Sequence, residues 1–183
     1  MKSEFLSLLN VFKEKDPKVV VEIGTANGGT LFCFSKLAPQ GATIVSIDLP
    51  GGKFGGGYPE GRVPLYYSFK KESQKTFLLR EDSHSEQTLE NLRTILGGNG
   101  KKIDFLFIDG DHTYEGVKKD FELYSTLVGD GGIVAFHDIA VHPDSTGCFV
   151  NLFWDEIKRK YKYKEFVEDR NQGWGGIGVL FFN

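Results

Sequence analysis

The chain has 183 residues, 40% hydrophobic and 26% charged, which suits one globular domain with a single sizeable core. Lys and Arg number 22 against 25 Asp and Glu, a net charge of −3 with no basic block, which speaks against a nucleic-acid partner. The apolar runs are far too short to cross a bilayer, and the N-terminus lacks a signal-peptide core, so the expectation is a cytoplasmic protein with no membrane contact.

Residues 4–14, within an N-terminal segment 1–16, read as a short amphipathic helix with Phe5, Leu8, Leu9 and Phe12 on one face. Val19 to Ile23 is the first strand and Thr30 to Leu37 its helix. Thr43 to Ile47 is the second strand, closed by Asp48. Thr76 to Leu79 is the third, followed by a helix carrying Leu89, Leu92 and Leu96, for which Ser83 and Glu86 form a plausible capping box. Ile103 to Ile108 is the fourth strand, and its helix repeats apolar residues at Val117, Phe121, Tyr124 and Val128. Ile133 to Phe136 is the fifth strand, and 149–160 is helical. Two closing strands near 163–168 and 176–182 have no helix between them, so they form an antiparallel hairpin. Cys33 and Cys148 both fall on predicted helices and read as free core thiols in a reducing compartment.

The pattern is a single α/β domain over 1–183, with βα repeats on a mostly parallel sheet and an antiparallel strand at one edge. Residues 50–65 break the alternation, holding six of the 23 glycines in one long connection that is either a lid or a plain flexible loop. Tyr66, Tyr67 and Phe69 beyond it could line an acceptor pocket or simply pack as a helix face.

Two features point to chemistry. The apolar runs before Asp109-Gly-Asp111-His112 and before His137-Asp138 read as strands buried on both faces, and ligands bind beyond the carboxyl ends of such strands. All four histidines, His84, His112, His137 and His142, fall at or just after such ends. The first strand runs into Glu22-Ile-Gly24-Thr25-Ala-Asn27-Gly28-Gly, a turn where glycine lets backbone approach a ligand. Ala26 stands where a dinucleotide fold carries its middle glycine. Asp48, 24 residues past Gly24, suits ribose hydroxyls. Asp111 is placed to cap the helix that begins near Thr113, and His84 and His142 read as loop structure.

Glu22-x-Gly24-x-x-x-Gly28, Asp48, Asp82-Ser83 and Asp109 together resemble a class I S-adenosylmethionine-dependent methyltransferase. The stretch from Asp82-Ser-His-Ser through Ile108-Asp-Gly-Asp-His-Thr-Tyr to Gly131-Gly-Ile-Val-Ala-Phe-His-Asp is similar to small bacterial O-methyltransferases, the group of macrocin-type sugar enzymes and proteins labelled cephalosporin hydroxylase. The resemblance covers roughly 17–182. It implies a Rossmann-like seven-stranded sheet of order 3-2-1-4-5-7-6 with strand seven antiparallel and helices on both faces. It also implies S-adenosylmethionine as cofactor. Glu22, Gly24, Thr25, Asn27 and Gly28 would lie toward its methionine end, Asp48 on the ribose, Asp82 and Ser83 at the adenine, and Asp109 beside the methyl group. In metal-assisted relatives, positions matching Asp109, His137 and Asp138 hold a divalent cation such as Mg or Mn, and a histidine matching His112 is the base. Here His137 replaces the usual acid or amide, which is less typical for Mg.

The chemistry accounts for these residue types. Methyl transfer from a sulfonium is an in-line displacement governed by positioning. A hydroxyl acceptor needs deprotonation, which a cation and a histidine together can provide. The expected activity is O-methylation of a small hydroxylated acceptor such as a sugar, by a chain small enough to work as a homodimer. The alternatives are a nicotinamide-dependent oxidoreductase, a metal-dependent hydrolase, and an inactive cofactor-binding homologue.

Overall fold

The computed structural model describes residues 2–98 and 100–183. The predominantly apolar runs become β1 (Val19–Ile23), β2 (Thr43–Ile47) and β4 (Ile103–Ile108), as expected of central parallel strands covered on both faces. With β3 (Lys75–Leu79), β5 (Val128–His137), β6 (Lys162–Phe166) and β7 (Ile177–Phe181) they form one seven-stranded sheet of order 3-2-1-4-5-7-6. β1 through β5 pair in parallel, and β7 lies antiparallel to both β5 and β6.

Alternate side chains of each strand feed two cores. Val19, Val21 and Ile23 of β1 pack toward α4 (Glu86–Ile95), α5 (Tyr114–Tyr124) and α6 (Val150–Ile157). Val20, Ile44, Phe105 and Phe107 pack on the other face with α1 (Lys2–Lys15), α2 (Gly29–Leu37) and the short α3 (Val63–Tyr67). Phe34 is the hinge of that second core, stacked on Phe12 at 4.9 Å and tilted against Phe105 at 5.3 Å.

Three local expectations change. β5 begins at Val128, not Ile133: Val128 pairs with Ile103, and the register then shifts before Ile133 meets Phe105. The intervening Gly129-Asp-Gly-Gly132 contains Gly131 at φ 70, so the strand bulges where its sequence looks like a loop. The helix after β3 is capped by Ser85, whose side chain accepts from Gln87 N at 3.2 Å, and not by a Ser83–Glu86 box. Cys148 precedes α6 in a loop; both thiols are free. No helix among the described residues is long and apolar enough to cross a membrane.

Candidate active site

The order of the strands reverses between β1 and β4, and there the loops diverge to leave a cavity of about 380 Å³ over the carboxyl ends of β1, β2 and β4. Gly24, Thr25, Ala26, Asp48, Asp82, Ser83, Asp109 and His112 line it, and the Gly-rich connection contributes Gly52, Lys53, Phe54, Gly55 and Gly57.

The floor is a tight packing of two strand ends. Gly24 has φ 85, and a Cβ there would fall 2.0 Å from the backbone oxygen of Asp109, so only glycine lets the first turn nest against the fourth. Its N–H donates to the Ile47 carbonyl at 2.9 Å, joining the turn to β2 as well. Asp48 Oδ2 accepts the N–H groups of Thr25 and Ala26, each at 2.6 Å, which bends the turn toward the cavity. One carboxylate oxygen is therefore committed to the protein, and the buried Oδ1 is left without a partner.

Glu22 lies beneath this turn, fully buried on the α2 face of the sheet. Thr25 Oγ1 donates to its Oε2 at 2.6 Å, while Oε1 has no partner. Burial pushes its carboxyl up to about 8, aided by the Asp109 and Asp48 charges and opposed by the Thr25 hydrogen bond and the nearby Thr30 hydroxyl. Gly28 is packed under the Tyr66 ring, and exposed Asn27 accepts from Arg62 Nη1 at 2.7 Å. Glu22, Asn27 and Gly28 thus shape the turn from outside the cavity. Tyr66 is buried and donates to the Ala26 carbonyl at 2.6 Å, so it packs rather than lines a pocket, whereas Tyr67 is exposed.

Beyond the carboxyl end of β3, Asp82 Oδ1 accepts from His84 N at 2.8 Å and the Ser83 carbonyl accepts from Tyr124 at 2.7 Å. His84 is turned to the buried Asp120, 3.3 Å away, and to the Gly116 carbonyl. This places His84 in the architecture of the loop. Asp111 accepts from Thr113 N at 2.9 Å, but the cap of α5 is Thr113 itself, accepting from Gly116 N.

The acids and histidines converge at the opposite end. Asp109 Oδ1 stands 3.3 Å from His112 Nε2 and 3.2 Å from His137 Nδ1. Asp138 Oδ1 is 3.2 Å from His137 Nδ1 and 3.3 Å from His142 Nε2, and its Oδ2 is 3.2 Å from His112 Nδ1. Asp138 reaches three histidines because its backbone is left-handed, φ 60, a conformation that Asp tolerates better than most residues. Burial opposes charge on the imidazoles, but the neighbouring carboxylates win. They hold His112 up at about 10 and His137 at about 11, and the same histidines hold Asp109 down at about 2 against the effect of burial. Phe54 stacks on the His112 ring at 4.8 Å, bringing the Gly-rich connection over this end.

Asp109, His137 and Asp138 each present a donor atom, all within 4.8 Å of one another. A nitrogen between two carboxylate oxygens at that spacing fits a divalent cation. His137 and Asp138 lie behind Asp109 and His112 rather than in the cavity wall. Sequence reasoning missed His142 as a partner of Asp138, although its place four residues on was a signal, and it missed Cys148 and Phe54, for which no signal existed.

A family described as a methyltransferase domain matches residues 21–139, well over half of the chain, from within β1 to just past β5. The chain belongs to this family. The chain is 34% identical over 132 residues to an uncharacterized protein of Acanthamoeba polyphaga mimivirus, covering 72% of the chain and 56% of that protein. It is 26% identical over 177 residues to an uncharacterized protein of Sinorhizobium fredii, covering 91% of the chain and 17% of that much longer protein. Among solved structures, the O-methyltransferase TomG of Streptomyces achromogenes in complex with SAM superposes with a TM-score of 0.64 at 15% identity, covering 97% of this chain and 78% of TomG. The O-methyltransferase of Bacillus cereus in complex with SAH gives 0.63 at 16% identity, covering 98% and 80%. At such identities these two establish a shared fold, that of Rossmann-like methyltransferases.

Proposed function

We propose that this methyltransferase moves the methyl group of S-adenosylmethionine to a hydroxyl of a small acceptor such as a sugar. The observation that carries the reading is the convergence, at one cavity, of the first-turn glycine, Asp48 with a free buried oxygen, Asp82-Ser83, and the Asp109–His112 pair. In this reading Asp48 Oδ1 receives one ribose hydroxyl, Asp82 and Ser83 flank the adenine, and Gly24 and Thr25 border the methionine end. Glu22, Asn27 and Gly28 act indirectly, by shaping the turn. Asp109 lies at the transferring methyl, and His112 takes the acceptor proton.

Asp109, His137 and Asp138 would hold a divalent cation, which would lower the pKa of the acceptor hydroxyl and take up the carboxylate charge that otherwise keeps His112 protonated. The residues 50–65 serve as a lid: Phe54 covers His112, and Gly55, Gly56 and Gly57 all have positive φ, so the segment can fold tightly over the cofactor.

Calorimetry with S-adenosylhomocysteine tests the cofactor, and absence of binding ends the proposal. For the base, His112→Ala should lower turnover by about 10²-fold or more and leave cofactor affinity unchanged. Equal turnover in both proteins would remove His112 from the reaction.

A further inference from the structure

The loop before α6 brings a thiol against the acid–histidine cluster. His112, Asp138 and Cys148 present a nitrogen, an oxygen and a sulfur within 4.8 Å of one another. Their placement is built into the backbone. Phe149 N donates to the His112 carbonyl at 2.8 Å, so the segment carrying the cysteine is fastened to the segment carrying the histidine. Gly147, at φ 69, makes the turn that brings Cys148 inward, and Cys148 N donates to Thr146 Oγ1 at 3.1 Å. The thiol ends up buried beside Asp138, whose own position is held by Gly175 N and His142.

This donor set differs in kind from the other one. Asp109, His137 and Asp138 offer two carboxylates and an imidazole; here a sulfur replaces a carboxylate. Thiolate with imidazole selects zinc and similar thiophilic dications over magnesium. Tetrahedral zinc, with ligands at about 2.0–2.3 Å, needs donors about 3.3–3.6 Å apart. His112 Nδ1 and Asp138 Oδ2 already stand 3.2 Å apart.

We propose that His112, Asp138 and Cys148 form a second, soft-metal site, for zinc or another thiophilic dication, that shares Asp138 with the harder site and inhibits the enzyme by occupying His112. Ligation takes the Nδ1 lone pair of His112, one Asp138 oxygen and the Cys148 sulfur, and both the imidazolium proton of His112 and the thiol proton leave to solvent. The inhibitory consequence rests on the function proposed above, because it withdraws the residue assigned as base; the binding itself does not.

Cobalt(II) reports the site directly, since a thiolate ligand gives it an intense near-ultraviolet charge-transfer band. The full chain, without cofactor or acceptor, should develop this band at one equivalent of cobalt and lose it when zinc is added. Cys148→Ser should abolish the band, while Cys33→Ser and Asp109→Asn keep it. His112→Ala, which retains the thiol, should weaken cobalt binding by at least about 10-fold, and it carries the test if Cys148→Ser fails to fold. No band in the wild-type chain, a band that survives Cys148→Ser, or unchanged affinity in His112→Ala would overturn the proposal. Because no methyl donor is present, failure of the methyl-transfer reading would leave this result standing.

Discussion

Glu22 offers a quantitative test of the buried turn. Its carboxyl is fully buried with one oxygen unpartnered, and its ionisation is displaced from 4.5 to about 8, first by burial and then by the nearby Asp109 and Asp48 carboxylates. Between these two pH values the folded chain holds a proton that the unfolded chain has released. The contribution is therefore full below pH 4.5 and is lost as the pH rises through 8. At about 1.4 kcal/mol for each pH unit, the whole span is on the order of 5 kcal/mol. Glu22→Gln keeps the shape and the acceptor for Thr25 but cannot ionise. Urea unfolding of both proteins without ligand, from roughly pH 5 to 9, isolates the effect, because other titrating groups are common to both. The wild type should lose stability against Glu22→Gln by about 1 kcal/mol per pH unit near neutrality, leaving the variant the more stable protein in mild alkali. Parallel curves would show that Glu22 is already ionised in the folded chain and would refute the argument from burial.

Other perturbations follow from the same geometry. Gly24→Ala forces a Cβ into the Asp109 backbone at φ 85, so S-adenosylhomocysteine binding by calorimetry should be lost; Gly41→Ala, at φ 78 with open space around it, should cost only about 1–2 kcal/mol in chemical unfolding. Gly178→Ala places a methyl 2.7 Å from three atoms of the Trp154 ring, and overpacking of this kind should cost about 1–3 kcal/mol, read as a fall in Tm. Burial would raise the Glu165 carboxyl, but Lys158, Trp154 and Arg170 bring it down to about 2. Its contribution is present above pH 4.5 and fades as the pH falls toward 2, so Glu165→Gln should cost on the order of 1 kcal/mol at pH 7, after allowance for screening by water, and close to nothing near pH 2.

The parts of the fold legible in the sequence were those where one physical signal acts alone. β1, β2 and β4 are dominated by apolar residues because helices cover both their faces, and their bounds agree with the expectation to the residue. Where two signals compete, local reading fails. Val128 continues the helical spacing of Val117, Phe121 and Tyr124, yet pairing with Ile103 draws it into β5. Ser83 and Ser85 both offer capping hydroxyls, and only the chain path selects Ser85. In the site, acids and histidines at strand ends announced a cluster, since sheet order brings the ends of β4 and β5 together. Which atom meets which was not legible. That Asp138 serves His112, His137 and His142 depends on its left-handed backbone, and that Cys148 joins them depends on a loop folding back from α6.

The sheet also sets when the cluster can exist. His137 is paired with Ile177, and Asp138 accepts the N–H of Gly175, 37 residues further along. During synthesis the turn after β1 and the loop after β3 can take shape early, but the acid–histidine cluster waits for β7 to slide between β5 and β6. Until then β5 is an open edge, and its left-handed Asp138 has no backbone clamp. Recovery of the proposed metal binding on refolding should therefore lag behind recovery of helix content, making the cluster a timer for closure of the sheet.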